Sequence, residues 1–301
     1  MTTSVVGKEQ LISMDIAASR SSFSSVPASN FSADELADIY NQTRIDYIVP
    51  MPMNARRMQA YVRHYDIDLD SSVVICGQNE EMVGLGMLGV RDDRAWITRL
   101  GIIPEKRQSG MGQCIMDGLL TAARKRFIRV VQLEVIEGNK PAHQLFLRNG
   151  FQEIRRLLVI RRPPAQFETA PLQSGVTTTP LSREEILACL AERGPGASWV
   201  SENASMVKLD ELCGLRLKLP SGYTGWAVYE KSTFELTHVV CYAPASVRDE
   251  MTTALLKAIH AKQPLMDTKI ENMPVNDPTW PVYQRYGYIE EFRRIEMYLS
   301  L

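Results

Sequence analysis

Apolar and polar positions change period along the chain. From Phe31 the pattern is helical: Ser32-Ala-Asp-Glu35 has capping-box spacing, and Leu36, Ile39 and Tyr40 follow at helical intervals. A second amphipathic stretch, residues 54–65, sets Met58, Tyr61, Val62 and Tyr65 on one side. The period then shortens. Residues 72–76, 82–90 and 95–103 read as strands, with turns at 77–81 and at Arg91-Asp-Asp-Arg94. Pro104 ends the third strand because it has no N–H for a ladder. Three strands in series with tight connections predict an antiparallel meander. After Arg107-Gln-Ser-Gly110-Met-Gly112 a helix runs to about Arg126. Residues 130–136 are a strand, 139–148 a short helix stopped by Asn149-Gly150, and 151–161 a final strand. This alternation predicts a mixed α/β sheet flanked by helices.

Arg161-Arg-Pro-Pro164 halts the pattern, and the Pro-, Gly- and Thr-rich residues up to 180 read as a linker. A second patterned region follows. It repeats the first at a constant offset of 137: Asn139 and Pro141 face Asn276 and Pro278, and Arg148, Gly150 and Phe151 face Arg285, Gly287 and Tyr288. Apolar positions pair at the same offset, as Ile102 with Val239, Leu119 with Leu256 and Leu133 with Ile270. One fold is therefore expected twice. The expected division is a disordered tail at 1–30, a first domain at 31–163, a linker at 164–180 and a second domain at 181–301.

Composition narrows the function classes. With Lys+Arg 34 against Asp+Glu 35, no basic excess exists to drive non-specific nucleic-acid binding through released counterions. No apolar run approaches the length of a membrane span. The charged residues Lys8, Glu9, Asp15 and Arg20 break any apolar segment of a secretory signal. The cysteines (Cys76, Cys114, Cys189, Cys213, Cys241) form no CxxC and read as reduced thiols of a cytoplasmic protein. The four histidines stand in no ligand spacing, so no metal is expected. Trp199, Tyr223, Trp226, Tyr229 and Trp280 read mostly as core, and Asp92 and Asp93 as turn residues.

The chemistry concentrates in residues 100–113, Leu-Gly-Ile-Ile-Pro-Glu-Lys-Arg-Gln-Ser-Gly-Met-Gly-Gln. The segment leaves a strand and opens a helix. Gly110 and Gly112 let backbone N–H groups approach a ligand, the helix start carries positive potential, and Arg107 can fork onto phosphate oxygens. Within this segment neither GxxxxGK[ST] nor GxGxxG occurs, so it is neither a Walker loop nor a dinucleotide fingerprint. A nucleotide-phosphate binder is the most distant reading.

From about Trp96 to Val159 the sequence resembles the GCN5-related N-acetyltransferase (GNAT) superfamily. That family's R/Q-x-x-G-x-G/A is matched by Arg107, Gly110 and Gly112, its L-x-V strand by Leu133-Glu-Val135, and its N-x-x-A-x-x-L-Y/F-x-x-x-G-F by Asn139, Ala142, Leu145, Phe146, Gly150 and Phe151. The resemblance implies acetyl-CoA as co-substrate. Its pyrophosphate would lie on the backbone of Arg107, Gln108, Ser109, Gly110, Met111, Gly112 and Gln113. Its pantetheine arm would lie in a splay between Leu100, Gly101, Ile102 and Ile103 on one strand and residues 131–135 on the next. Asn139 and Phe146 complete the implied coenzyme contacts, and Asn139 suits a helix N-cap equally.

The implied reaction moves an acetyl group to a primary amine, which attacks as the free base. A backbone N–H near Ile102 would polarise the thioester carbonyl. Glu134 is the candidate general base, as is the glutamate at this motif position in ribosomal-protein alanine N-acetyltransferases; a strand glutamate paired with a neighbouring arginine is the other reading. Where the family often has a tyrosine as general acid, this chain has Phe146, so no acid is assigned. Tyr47, Met51 and Met53 fall where the family's acceptor loop lies. Transfer of another acyl group, such as propionyl, and a non-catalytic coenzyme-binding sensor or scaffold are the alternatives. The acceptor's chemistry, small molecule or peptide, is not legible.

In the second half, Arg107, Gly110 and Gly112 become Pro244, Val247 and Asp249, and Asp249 would meet phosphate with negative charge. This resembles bacterial GNAT proteins with a degenerate second GNAT-like domain and, more distantly, tandem enzymes such as mycothiol synthase. The expected role of that half is to wall the acceptor cleft without binding coenzyme.

Overall fold

The structure, a computed structural model, describes residues 23–164 and 172–301. The chain divides into two compact units. One runs to Glu134 and includes Asn139–Glu153 and Met297–Leu301; the other comprises Val135–Gly138 and Ile154–Glu296.

In the first unit, strands β1 (Ser24–Pro27), β2 (Val73–Cys76), β3 (Met82–Arg91), β4 (Arg94–Ile102) and β5 (Val130–Ile136) lie side by side in chain order. β1 to β4 pair antiparallel in turn, and β4 pairs β5 parallel. The expected meander is β2–β3–β4. Helix α1 (Ala33–Gln42) is opened by Ser32, whose Oγ accepts from Glu35 N while Glu35 accepts from Ser32 N, the anticipated capping box. α2 (Ala55–His64) is capped by the Asn54 side chain. α1 packs on α2 and β3, and α3 (Met111–Lys125) packs on β2, β3 and β4. The apolar run Val83–Leu88 is buried on both strand faces, because α1 and α3 both lie against β3. α4 (Lys140–Arg148) ends at Gly150, whose φ of +89° continues no helix.

Two boundaries differ from expectation. Residues 1–22 of the expected tail lie outside the described residues, but Ser24–Pro27 form β1, paired with Val73–Cys76. Four residues of Ser-Ser-Val-Pro carry no readable period; the open edge of β2 makes them a strand. Pro27 at its end is tolerated because an edge strand needs only half its donors. The expected linker is likewise shorter: residues 165–171 lie outside the described residues, and Thr177–Pro180 form β7, paired antiparallel with β8 (Leu212–Lys218).

The second unit places β12 (Ile289–Ser300), β6 (Gln152–Arg162), β11 (Asp267–Pro274), β10 (Glu235–Tyr242), β9 (Thr224–Lys231), β8 and β7 side by side in that order. β10 and β11 are parallel; the remaining pairs described from β6 to β7 are antiparallel. From Ile154 onward β6 counts with this unit, where Leu157–Arg162 face Thr268–Pro274. Helix α5 (Arg183–Ala191) packs on β8, and α6 (Arg248–Lys262) packs on β8, β9 and β10. β9 shows the division of the core: Ala227 and Tyr229 join the cluster with Met251, Leu255 and Ile259 of α6, and Trp226 and Val228 join that with Ile186 and Leu190 of α5.

The repeat is visible element by element. Adding 137 to the bounds of α3 gives those of α6, 248 and 262, and β5 maps onto the start of β11 at 267. α7 (Trp280–Arg285) ends at Gly287, φ +79°, the counterpart of Gly150. Of the aromatics read as core, Trp199, Trp226 and Tyr229 are buried, and Tyr223 is exposed. All five cysteines are unpaired. Among the described residues no helix is long and apolar enough to cross a membrane, and no group of three or more His, Cys, Asp or Glu is placed to hold a metal.

Candidate functional site

The site of the first unit forms where β4 and β5 part. Their parallel register runs from Arg94↔Val130 to Ile97↔Leu133 and stops. Beyond it, β4 carries a bulge against β3 between the Leu85↔Gly101 and Met87↔Thr98 pairs, with Arg99 at φ +53°. Ile102 remains opposite Gly84 of β3. Its carbonyl accepts from Arg107 Nε at 3.2 Å, and a strand residue's N–H points to the same side as its C=O. Ile103 N–H instead donates to Val83 O on β3.

The chain next makes a single turn at Pro104–Lys106 and enters α3 through Gly110. Gly110 has φ +83°, and a Cβ there would meet no heavy atom within 4 Å. The glycine therefore serves the left-handed backbone, not packing. Gly112 differs: a Cβ would stand 3.3 Å from Leu145 Cδ2, tight against α4. Bonding within the helix begins with Gln113 N–H and Cys114 N–H to Gly110 O, so the N–H groups of Met111 and Gly112 precede the ladder at the positive end of the helix dipole.

These elements wall a cavity of about 520 Å³. Of the sequence-predicted residues, Leu100, Gly101, Ile102, Arg107, Gln108, Gly110, Gly112, Gln113 and Asn139 line it. Ile103, Ser109, Met111 and Phe146 do not; Ser109 and Met111 line a separate cavity with Ile75 and Cys114. Phe146 is buried, its ring 6.1 Å from that of Phe151, and Leu145 takes the lining position beside it. Asn139 caps α4 as expected, and it also faces the cavity. Its Oδ1 accepts from Ala142 N at 3.3 Å as an N-cap, and the residue lines the cavity.

Sequence reasoning missed four lining cations or partners: Arg44, Lys106, Arg148 and Asp46. Arg148 had a signal, since Pro141, Gln144, Leu145 and Arg148 repeat at helical spacing after Asn139 and share one face. Asp46 had none. It lies in the aperiodic loop between α1 and α2, and its carboxylate takes Arg107 bidentately, both contacts at 2.6 Å. Arg107 also donates to Thr43 O at 3.2 Å. Hydrogen bonding to Arg107 holds the Asp46 carboxyl below its ordinary pKa.

Glu134 is not in the cavity lining. Its Oε2 accepts from Trp96 Nε1 at 2.6 Å, which fixes the carboxylate in an aromatic cluster: the Tyr65 and Trp96 rings are 5.8 Å apart, those of Tyr61 and Trp96 6.2 Å. Tyr61 bonds Thr98 Oγ1 at 2.6 Å beneath the Arg99 guanidinium, and burial pushes its phenol up to about 12. Of the expected acceptor-loop residues, Tyr47 lines the cavity, Met51 lies 3.8 Å from an Arg99 nitrogen through its sulfur, and Met53 is held by its backbone to the Asn41 side chain.

In the second unit the equivalent helix start carries an acidic residue. Asp249 stands for Gly112, and its carboxylate lies 3.7 Å from Arg285, the counterpart of Arg148.

Residues 34–151 match the model of the Acetyltransferase (GNAT) family. No curated protein matches the chain. Among solved structures, the fold is similar to a GCN5-related N-acetyltransferase from Sphaerobacter thermophilus, with TM-score 0.70 and 15% identity over 92% of this chain and 95% of that one. It is also similar to a tandem GNAT protein from the clavulanic acid biosynthesis pathway (TM-score 0.68, 13% identity, 92% and 98% covered). A third is an acetyltransferase, so described provisionally, from Pyrococcus horikoshii (TM-score 0.63, 11% identity, 93% and 90% covered). At these identities the similarity is one of fold.

Proposed function

We propose, from the match of residues 34–151 to the Acetyltransferase (GNAT) family model, that the protein is an acetyl-CoA-dependent N-acetyltransferase acting on a primary amine, with its chemistry in the first unit. One observation carries the reading: a left-handed Gly110 opens α3 onto a cavity whose wall joins Ile102, Gly112 and Asn139 to the cations Arg44, Lys106, Arg107 and Arg148. Such a wall fits a long ligand with phosphates at one end. Gly112 and Leu145 share that wall, and a side chain at position 112 would crowd Leu145.

Acetyl-CoA supplies an activated acyl carbon and a thiol leaving group. The chain supplies the rest. Gly112 N–H and the cations hold phosphate oxygens, Asn139 holds the arm, and the Ile102 N–H stabilises the oxyanion formed on attack. Glu134, oriented by the Trp96 indole, takes the amine's proton through water or directly. Phe146 donates no proton, so the thiolate leaves without help from that position. Asp249 and its partner Arg285 support the second unit's lacking a coenzyme site.

Calorimetry of acetyl-CoA against wild type and Gly110→Glu tests this. A single micromolar-range site lost in the variant is expected. Absence of binding to wild type would overturn the enzyme reading. Phe146 leaves a second reading, a coenzyme-binding sensor: coenzyme bound with no thiol released across a panel of amines would favour it.

A further inference from the structure

The loop between α1 and α2 occupies, with two adjacent residues, the side chains that the coenzyme reading assigns to the ligand. Asp46 forks onto Arg107, and Tyr47 accepts from Asn139 Nδ2 through its hydroxyl at 3.3 Å. Arg107 is the fixed cation of the helix-start loop and Asn139 the polar group at the other wall of the same cavity. The Arg44 guanidinium lies 3.8 Å from the Tyr47 ring centroid, clamping the loop in this position. The loop's far end is anchored elsewhere, by Asn41 to the Met53 backbone at 2.8 and 2.9 Å. Thr43 caps α1 through its N–H to Ile39 O, so residues 44–48 beyond it can lift without unravelling the helices that flank them.

The contacts are of a kind that a phosphate ligand displaces. The Arg107 and Asp46 side chains are 38% and 52% exposed, and an ion pair so exposed contributes little. A phosphate group offers arginine two oxygens for the same bidentate contact, and the phosphates of acetyl-CoA together carry more charge than one carboxylate. Asp46 is moreover an anion in a cavity lined by four cations, so a phosphate entering beside it is repelled until it moves away.

We propose that residues 44–48 form a latch: Asp46 and Tyr47 hold Arg107 and Asn139 until a phosphate-bearing thioester takes their place, and the freed loop then receives the amine. This rests on the coenzyme reading above. It makes binding ordered, with the thioester first, and lowers the apparent affinity by the fraction of molecules in which the latch is open.

The test is calorimetry of acetyl-CoA on the full chain as wild type, Asp46→Ala and Tyr47→Phe, with hydrogen exchange of wild type. Asp46→Ala is expected to bind about three- to tenfold more tightly, and Tyr47→Phe about twofold. Acetyl-CoA is expected to speed exchange at Arg44 and Tyr47 N–H, which donate to Asn41 O and Arg44 O, while slowing it around Gly112. Equal or weaker binding by Asp46→Ala, or slower exchange at Arg44 and Tyr47, overturns the latch; Asp46 then only orients Arg107. If neither wild type nor either variant binds, the coenzyme reading itself falls.

Discussion

Alanine at Gly110 should cost stability and alanine at Gly112 should cost affinity, because the two glycines serve different ends. At Gly110 the new methyl has open space but must sit at φ +83°. The left-handed region costs an L-residue about 1–2 kcal/mol, and the stiffer unfolded chain returns about 0.4–1 kcal/mol. The net is a loss on the order of 0.5–1 kcal/mol. At Gly112 the backbone is helical, and alanine gains up to about 1 kcal/mol over glycine there. The new Cβ stands 3.3 Å from Leu145 Cδ2, so Leu145 gives by a few tenths of an ångström and offsets part of that gain. Gly112→Ala should therefore fold about as stably as wild type while its methyl fills space in the cavity wall. Its acetyl-CoA affinity should fall at least about tenfold, equivalent to about 1.4 kcal/mol. Urea unfolding gives the stabilities, calorimetry the affinities. Wild-type affinity in Gly112→Ala would refute the assignment of that helix face to the ligand. Undiminished stability in Gly110→Ala would refute the conformational argument.

Further predictions concern the base and the buried polar groups. Glu134→Gln keeps an acceptor for Trp96 Nε1; thiol release with responsive amines should drop by about 10²–10⁴, with acetyl-CoA affinity within twofold, and turnover near wild type would remove the base. His260 is fully buried against Tyr288 OH at 3.0 Å, and burial, with Arg162 adding to it, pushes its pKa down to about 3. The unfolded chain binds that proton from about pH 6.5 downward and the folded chain does not. The stabilisation is thus complete above about pH 6.5 and falls with pH, by about 2 kcal/mol at pH 5. Urea midpoints at pH 7 and 5 should converge in His260→Leu, and an unchanged gap would exclude His260 as the source. Arg155 pairs with Glu296 at 2.6 Å, and the Glu296 side chain is 1% exposed against 29% for Arg155. Arg155→Ala strands a buried carboxylate and should cost about 3–5 kcal/mol; Glu296→Ala leaves an arginine that can reach water and should cost less. Equal losses in the two variants would argue against burial as the cause.

Much of the fold was legible because its signals are local. The change from a 3.6 to a 2.0 period located the meander, Ser32 and Glu35 announced α1, and Gly150 and Gly287 marked two helix ends. The same capping box recurs unread at Ser182 and Glu185, where it opens α5. The offset of 137 predicted two copies of one fold, and α3 and α6 keep that offset at both ends. What fails from sequence is pairing across distance. Four residues at 24–27 and four at 177–180 become strands only because a neighbour offers an open edge. β6 reads as the close of the first domain, yet Leu157–Arg162 hydrogen-bond to Thr268–Pro274 in the second unit.

The site divides the same way. The sequence determined the residue types at the helix start and the strand that precedes it, since glycines at fixed spacing and an arginine have local consequences for backbone and charge. Tertiary structure alone decided that Arg107 is held by Asp46, that Asn139 meets Tyr47, that Arg148 faces the cavity while Phe146 does not, and that Glu134 accepts from the Trp96 indole N–H. Those partners are separated by up to 92 positions in the chain. A side chain's partner depends on which segments folding brings together, and no periodicity along the chain records that.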